Sequence, residues 1–322
     1  RILRQAREAG IWNHIFVFFG FPGETESEAQ QTVRFVNDHQ FSVFVGFNQF
    51  LRISDLVLLH QRFYLFIRFL LLDGMGYLHL NDLLASFPDL FLHRLIERGA
   101  FIPLTSTFPA TTATALTSYN TGLTPQEHGM LGYRLYLKET STITNMVRLS
   151  LLGSKDGDSA LEAGIDIERF LSGPSLHDHL HRLGVESHVL LSKYIASSGL
   201  SRLLYNGNAK LHPVVDLSDM LVSARHILNR ARGKTLLSLY WGATDAIAHT
   251  RGPWTEAFTA ELRSIDAALE RELAGAVDDT LLLISADHGF MAMEESWEGE
   301  PLIIVAAEKS SGEKAEEEVN NA

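Results

Sequence analysis

Several short stretches place metal-binding or nucleophilic residues directly after apolar runs. LLISADHGF (residues 282–290) ends its run in Asp287 and His288. Burying polar groups at the end of a strand costs roughly 2–7 kcal/mol each unless something satisfies them. LLLDGMG leaves Asp73 in the same situation, and TDAIAHT sets Asp245 four residues before His249. On a helical turn that spacing brings both side chains to one face. Asp and His together suit a divalent cation of zinc type. Taken singly, each stretch has an ordinary explanation. An Asp-x-x-x-His pair is most often a surface pair, and an Asp after a strand often caps a turn. Three acids that all follow apolar runs make a metal-site pattern.

A further stretch, FPATTATALTSYNTGLTPQEHGMLGY (108–133), puts Thr111 and Thr112 where a helix begins. Helix N-terminal amides favour anions, so a phosphate could sit beside a threonine hydroxyl. Threonine is a weak nucleophile until a base or a metal activates it. The competing role for either residue is that of a plain helix N-cap.

These groups need a frame that gathers them. From about Phe63 the chain alternates apolar runs with amphipathic ones. YLFIRFLLLD (64–73), AFIPLTSTF (100–108), VESHVLLS (185–192), TLLSLYWG (235–242) and DTLLLISAD (279–287) read as strands. FPDLFLHRLIERGA, TTATALTSYNTG and WTEAFTAELRSIDAALERELAG read as helices, the first two stopped by Gly99 and Gly122. The expectation is an α/β fold, a mostly parallel sheet with helices on both faces. In such sheets ligands bind at the carboxyl ends of strands, where Asp73, Asp245 and Asp287 fall. Residues 59–307 form the expected catalytic domain, with 138–234 as a small irregular cap that selects the substrate. Residues 308–322, EKSSGEKAEEEVNNA, are charged and poor in apolar residues and read as a disordered tail. Residues 1–58 read as an extra strand–helix–strand segment, with Thr25 and Glu28 as a capping box.

Composition narrows the chemistry. The 322 residues carry 27 basic and 39 acidic side chains, a net charge of −12, which disfavours nucleic acid as a partner. Acidity does not disfavour a phosphate substrate, because bound cations supply positive charge locally. There is no cysteine, so thiolate nucleophiles, Cys-zinc sites and disulfides are excluded. His60, Arg62, Arg68 and Asp73 interrupt the longest apolar stretch, 56–76, and argue against a membrane span. The chain begins at Arg1 without a signal-peptide pattern, which suggests a fragment and favours a cytoplasmic location. Oligomeric state and compartment stay open.

The order Asp73, Pro-x-x-Thr with TGLTPQEHG, Asp245-x-x-x-His249 and Asp287-His288-Gly289 resembles the alkaline phosphatase superfamily. It is most similar to the type I phosphodiesterase/nucleotide pyrophosphatase branch, over about residues 64–306. The resemblance implies a hydrolase of small phosphate esters or nucleotides with two divalent ions, zinc or alternatively manganese. One ion would take Asp73, Asp287, His288 and the nucleophile oxygen. The other would take Asp245, His249 and a further histidine. The family's nucleophile stands nine residues before the Thr of Thr-Gly, which points to Thr112, with Thr111 as runner-up. Tyr133 or Asn145 would stand in for the family's phosphate-contacting asparagine. No histidine follows His288 here, so the Asp245/His249 ion is expected to have two protein ligands. The alternative expectation is therefore a catalytically impaired, truncated or fused relative that only binds a metal or phosphate ligand. The front stretch, FFGFPGETESEA with FSVFVGFNQFLRISDL, resembles the tail of a B12-type radical-SAM protein without its cysteines. His128 is expected to brace the loop below the nucleophile helix. His177, His179 and His181 are expected to line a solvated helix face.

Overall fold

A computed structural model describes residues 66–99, 101, 103–171, 173–273 and 280–290, together with 15–16 and 43–44. In chain order the strands are β1 Ile15–Phe16, β2 Val43–Phe44, β3 Phe66–Leu72, β4 Arg134–Leu137, β5 Thr142–Asn145, β6 Ser150–Leu151, β7 Glu186–Ser192, β8 Ala209–Val214, β9 Thr235–Trp241 and β10 Thr280–Ser285. The helices are α1 Tyr77–Ser86, α2 Phe91–Arg98, α3 Thr112–Thr121, α4 Pro125–His128, α5 Ser159–Glu162, α6 Ile167–Phe170, α7 Leu176–Arg182, α8 Gly199–Leu204, α9 Leu217–Arg230, α10 Ala243–Arg251 and α11 Glu256–Leu273.

The main sheet is fully parallel, in the order β10-β3-β9-β7-β8. Parallel strands in such a sheet are covered on both faces, which is why β3 reads FIRFLLL with almost no polar alternation. Phe66, Leu70 and Leu72 join a core with Phe91 of α2, Met220 and Leu228 of α9, and Phe258, Leu262, Ile265 and Leu269 of α11. The 3–4-residue spacing of the last four gives α11 its apolar stripe. On the opposite face Leu71 meets Ala113 and Leu116 of α3, Ala160 of α5, and Leu200 and Leu203 of α8. Ile67 meets Leu176 and Leu180 of α7. Each fully buried Leu, Ile or Phe contributes about 1.5–3 kcal/mol. The sheet is therefore fixed from both sides, and its strand ends are a firm place to hang chemistry.

Three expectations meet corrections here. AFIPLTSTF contains no strand among its described residues; Pro103 lacks the N–H that a ladder needs. The stretch 138–234 is not one irregular cap, since β7 and β8 complete the main sheet. Only β4, β5 and β6 form a separate antiparallel sheet. β8, AKLHPV, hid its role because Lys210, His212 and Pro213 break its apolar pattern, which an edge strand tolerates. His177 is not solvated: it is buried beside Tyr205, with ring centroids 5.9 Å apart, and burial pushes it down to about 4. At the front, β1 and β2 pair in parallel, Ile15 with Val43 and Phe16 with Phe44. The helix expected between them, its Thr25–Glu28 box and the tail 308–322 lie outside the described residues.

Candidate active site

The site follows from which strands are neighbours. β10, β3 and β9 are adjacent and parallel, so their carboxyl ends lie side by side. Asp73 directly follows β3, Asp287 and His288 follow β10, and Asp245 lies in the first turn of α10 after β9. His288 Nε2 is 3.3 Å from Asp73 Oδ1 and 3.8 Å from both Asp245 Oδ1 and Asp287 Oδ2. Thr112 opens α3, and its Oγ1 lies 3.2 Å from His288 Nε2 and 3.5 Å from Asp73 Oδ1. Thr111 is excluded from this group by its own work. It is the N-cap of α3, and its hydroxyl pairs with Thr114 N at 3.4 Å and Thr114 Oγ1 at 3.0 Å. Gly122, in the left-handed region at φ 68°, closes the same helix.

Each donor is held from behind. Asp287 Oδ1 accepts the N–H groups of Gly74 (3.1 Å) and His288 (2.9 Å), and Ser106 donates to the Asp287 carbonyl. His288 Nδ1 donates to Gly289 O at 3.2 Å, which leaves Nε2 to face the acids. Thr244 donates to the Asp73 carbonyl, and Tyr240 donates its phenol proton to Asp73 Oδ2. Asp73 N continues the β3–β9 ladder to Trp241 O at 3.0 Å. The loops after β3 and β10 touch backbone to backbone, and glycine permits it. A Cβ on Gly76 would lie 2.8 Å from Gly289 Cα, and one on Gly289 would lie 3.0 Å from Gly76 Cα.

The electrostatics call for a cation. Burial, then the charge of Asp73, pushes the Asp287 carboxyl up to about 7 and raises Asp245 as well. Burial alone would lower His288, but its hydrogen bond to Asp73 and the charges of Asp287 and Asp73 raise it to about 9. Three carboxylates thus crowd one imidazole and draw in protons where a metal ion could take their place. Asp287 Oδ2 is buried and has no hydrogen-bond partner among the described residues. One ligand atom each from Asp73, Asp287 and His288 lies within 4.8 Å of the others. Donor types, convergence and the orphaned oxygen all fit a divalent cation held by these three residues.

The second half-site is thinner. His249 Nε2 is 3.4 Å from Asp245 Oδ1, and the His249 side chain is 69% exposed. Its ring meets Phe290 edge-on at 5.0 Å. Among the described residues no further donor gathers with this pair into a group of three. The two residues named for phosphate contact stand differently. Asn145 Oδ1 accepts from Val147 N (3.0 Å) and Arg148 N (3.1 Å), so it holds a turn after β5. Tyr133 is exposed, and its carbonyl accepts Met146 N at 2.8 Å. His128 bridges α3 to the turn after α4: Nε2 meets Ser118 Oγ at 2.7 Å, and Nδ1 accepts Met130 N at 3.0 Å. Burial pushes it down to about 4, so it stays neutral and bridging. Sequence reading missed Tyr240, Thr244 and Ser106. Tyr240 pairs in register with Leu71, two residues before Asp73, which becomes visible only once β3 and β9 are known neighbours.

Comparison with known proteins bears on the family and the fold. Residues 69–307 match the family described as type I phosphodiesterase/nucleotide pyrophosphatase. No curated protein sequence matches the chain. Among solved structures, phosphonoacetate hydrolase from Sinorhizobium meliloti, in complex with phosphonoformate, is 19% identical with a TM-score of 0.50, covering 71% of this chain and 56% of that one. Murine ectonucleotide pyrophosphatase/phosphodiesterase 5, as an inactive variant in complex with AMP, is 15% identical with a TM-score of 0.51, covering 69% and 56%. The present chain therefore spans little more than half the length of these structures, and at such identities the likeness is one of fold. The family match begins at residue 69, so the front stretch likened to radical-SAM tails gains no support from it. With the match covering most of its length, and the Asp-His-Thr cluster inside it, the chain belongs to the type I phosphodiesterase/nucleotide pyrophosphatase family.

Proposed function

We propose that the protein is a metal-dependent hydrolase of phosphate esters, with Thr112 as its nucleophile. The observation that carries the reading is the meeting of Thr112 Oγ1 with Asp73 and His288, at 3.5 and 3.2 Å, beside the Asp287 Oδ2 that has no hydrogen bond among the described residues. Asp73, Asp287 and His288 would hold one divalent cation of zinc or manganese type, and Asp245 with His249 would hold a second, more weakly. Bound there, the cations supply Lewis acidity, which lowers the pKa of a neighbouring hydroxyl and offsets phosphate charge.

The chain's own residues do the rest. Thr112 Oγ forms a bond to phosphorus while the bond to the leaving alcohol or phosphate breaks. The threonine proton departs with the leaving group or to solvent. Water then attacks the phosphothreonine, releases phosphate or its monoester, and returns Thr112 to its hydroxyl form. The N-terminus of α3 presents backbone N–H groups toward the charge that gathers on the phosphoryl oxygens. Tyr240, Thr244 and the Gly74 amide keep the two aspartates from swinging away during these steps. The substrate class is a small phosphate ester or nucleotide. Hydrolysis of bis-p-nitrophenyl phosphate by the full chain, in zinc or manganese, tests this directly. Release of nitrophenolate that disappears in Thr112→Ala supports it. A folded, metal-loaded protein without turnover on mono- and diester reporters refutes it.

One observation favours a second reading. His249 is open to solvent, and among the described residues only Asp245 joins it as a candidate metal ligand. On that reading the protein is an impaired relative that binds metal or a phosphate ligand at the Asp73 half alone. Elemental analysis separates the two: two ions per chain support the hydrolase, and a single ion with no turnover supports the impaired relative.

A further inference from the structure

We infer that Tyr240 is a positioning residue that makes Asp73 a one-oxygen donor, and so biases the Asp73/Asp287/His288 group toward a small four-coordinate cation such as Zn2+. The inference rests on the reading of these three residues as a metal site. Its ground is the way their remaining atoms are occupied. Asp73 Oδ2 accepts the Tyr240 hydroxyl, which leaves Oδ1 to face His288 and Thr112. Asp287 Oδ1 accepts two backbone N–H groups, which leaves Oδ2 with no hydrogen-bond partner among the described residues. His288 gives Nδ1 to the Gly289 carbonyl, which leaves Nε2. Each residue keeps one free ligand atom, and Thr112 Oγ1 adds a fourth.

Chelation by both oxygens of either carboxylate is thereby opposed. Zinc is satisfied by four ligands of mixed nitrogen and oxygen. Manganese, magnesium and calcium favour oxygen-rich sites with more ligands, which two-oxygen carboxylates help to supply. Of the ties on these carboxylate and imidazole atoms, that on Asp73 is the one made by a side chain, so a single substitution can cut it. A carboxylate can only accept, so the phenol must donate. Tyr240→Phe keeps the ring and removes only the hydroxyl.

The test titrates metal-free full-length protein with Zn2+ and, separately, Mn2+ against a chromophoric chelator. Thermal melts verify that Tyr240→Phe remains folded, and Thr244→Val, which cuts the tie to the Asp73 carbonyl instead, serves as a second variant. Loss of an outer hydrogen bond to a metal ligand lowers affinity by about 10–100-fold. The expected result is a loss of that order for zinc in Tyr240→Phe and a smaller loss for manganese, so that the Zn/Mn preference narrows. Thr244→Val leaves both carboxylate oxygens of Asp73 as they were, and its Zn/Mn preference stays that of the wild type. An unchanged zinc affinity in Tyr240→Phe overturns the inference while leaving the metal site standing. An equal loss for both cations overturns it too. A wild-type chain that binds neither cation overturns the inference together with the metal site.

Discussion

The two halves of the site differ in how they are built. Asp73, Asp287 and His288 come from the ends of two adjacent strands, and the Asp287 side chain is 0% exposed. Backbone amides, a tyrosine and neighbouring carbonyls hold them. Asp245 and His249 come from one turn of one helix, and His249 stands mostly in water. A sheet edge fixes positions through its ladder and both covering layers. A helical turn fixes only the spacing between its own residues. The buried half is thus anchored from several elements, whereas the open half is anchored by one helix.

Thr112→Ala gives the largest effect. Turnover of a diester reporter should fall by roughly 10^3-fold or more. Metal content should stay the same, since three donors remain. A variant that keeps its rate would move the nucleophile elsewhere and break the comparison at its centre. Asp287→Asn should weaken the tightest metal by about 100-fold or more, read by chelator competition, because Asp287 supplies a buried oxygen that has no hydrogen bond among the described residues. If metal content holds, the open half is the stronger one. His249→Ala should lower turnover by about tenfold and leave the tightest metal in place. A loss as large as that of Asp287→Asn would erase the distinction between the halves.

Smaller effects address the scaffold. Gly76→Ala forces a Cβ to within 2.8 Å of a backbone atom, so the loops after β3 and β10 must part. Destabilisation of about 1–3 kcal/mol is expected in a denaturant titration, with the buried half losing more metal affinity than the open half. The last effect lies outside both halves. His177 is neutral in the fold, with its pKa lowered by burial from 6.5 to about 4. The fold therefore binds the proton less well than the unfolded chain does. Its contribution is complete above pH 6.5 and is lost as pH falls from there to about 4, by up to about 1.4 kcal/mol per pH unit. A shallower acid slope in the melting temperature of His177→Gln would sharpen this assignment. An identical slope would refute it.

Much of this was legible before folding. The strands β3, β9 and β10 announced themselves as mainly apolar runs, β3 broken by Arg68 and β9 by Ser238, because strands of a parallel sheet packed on both faces carry little polar side. The C-terminal stop of α3 could be read from Gly122. β8 was illegible because an edge strand tolerates lysine, histidine and proline. His177 misled because its neighbours His179 and His181 share a polar helix, and nothing local tells which face the core takes. The N-cap alternative for the two threonines was undecidable from composition, since both residues suit both roles.

What the amino-acid order determined by itself is the set of chemical groups: acids after strands, threonines at a helix start, a Thr-Gly and an Asp-His-Gly. Local rules suffice there, because strand period, helix capping and turn residues act over a few positions. Tertiary structure alone decided how those groups meet. Strand order made β10, β3 and β9 neighbours, brought Thr112 rather than Thr111 to the acids, and set Tyr240 against Asp73. Those meetings span 39 to 176 residues of sequence, a range over which only a packed sheet and its covering helices can hold side chains to within a hydrogen bond.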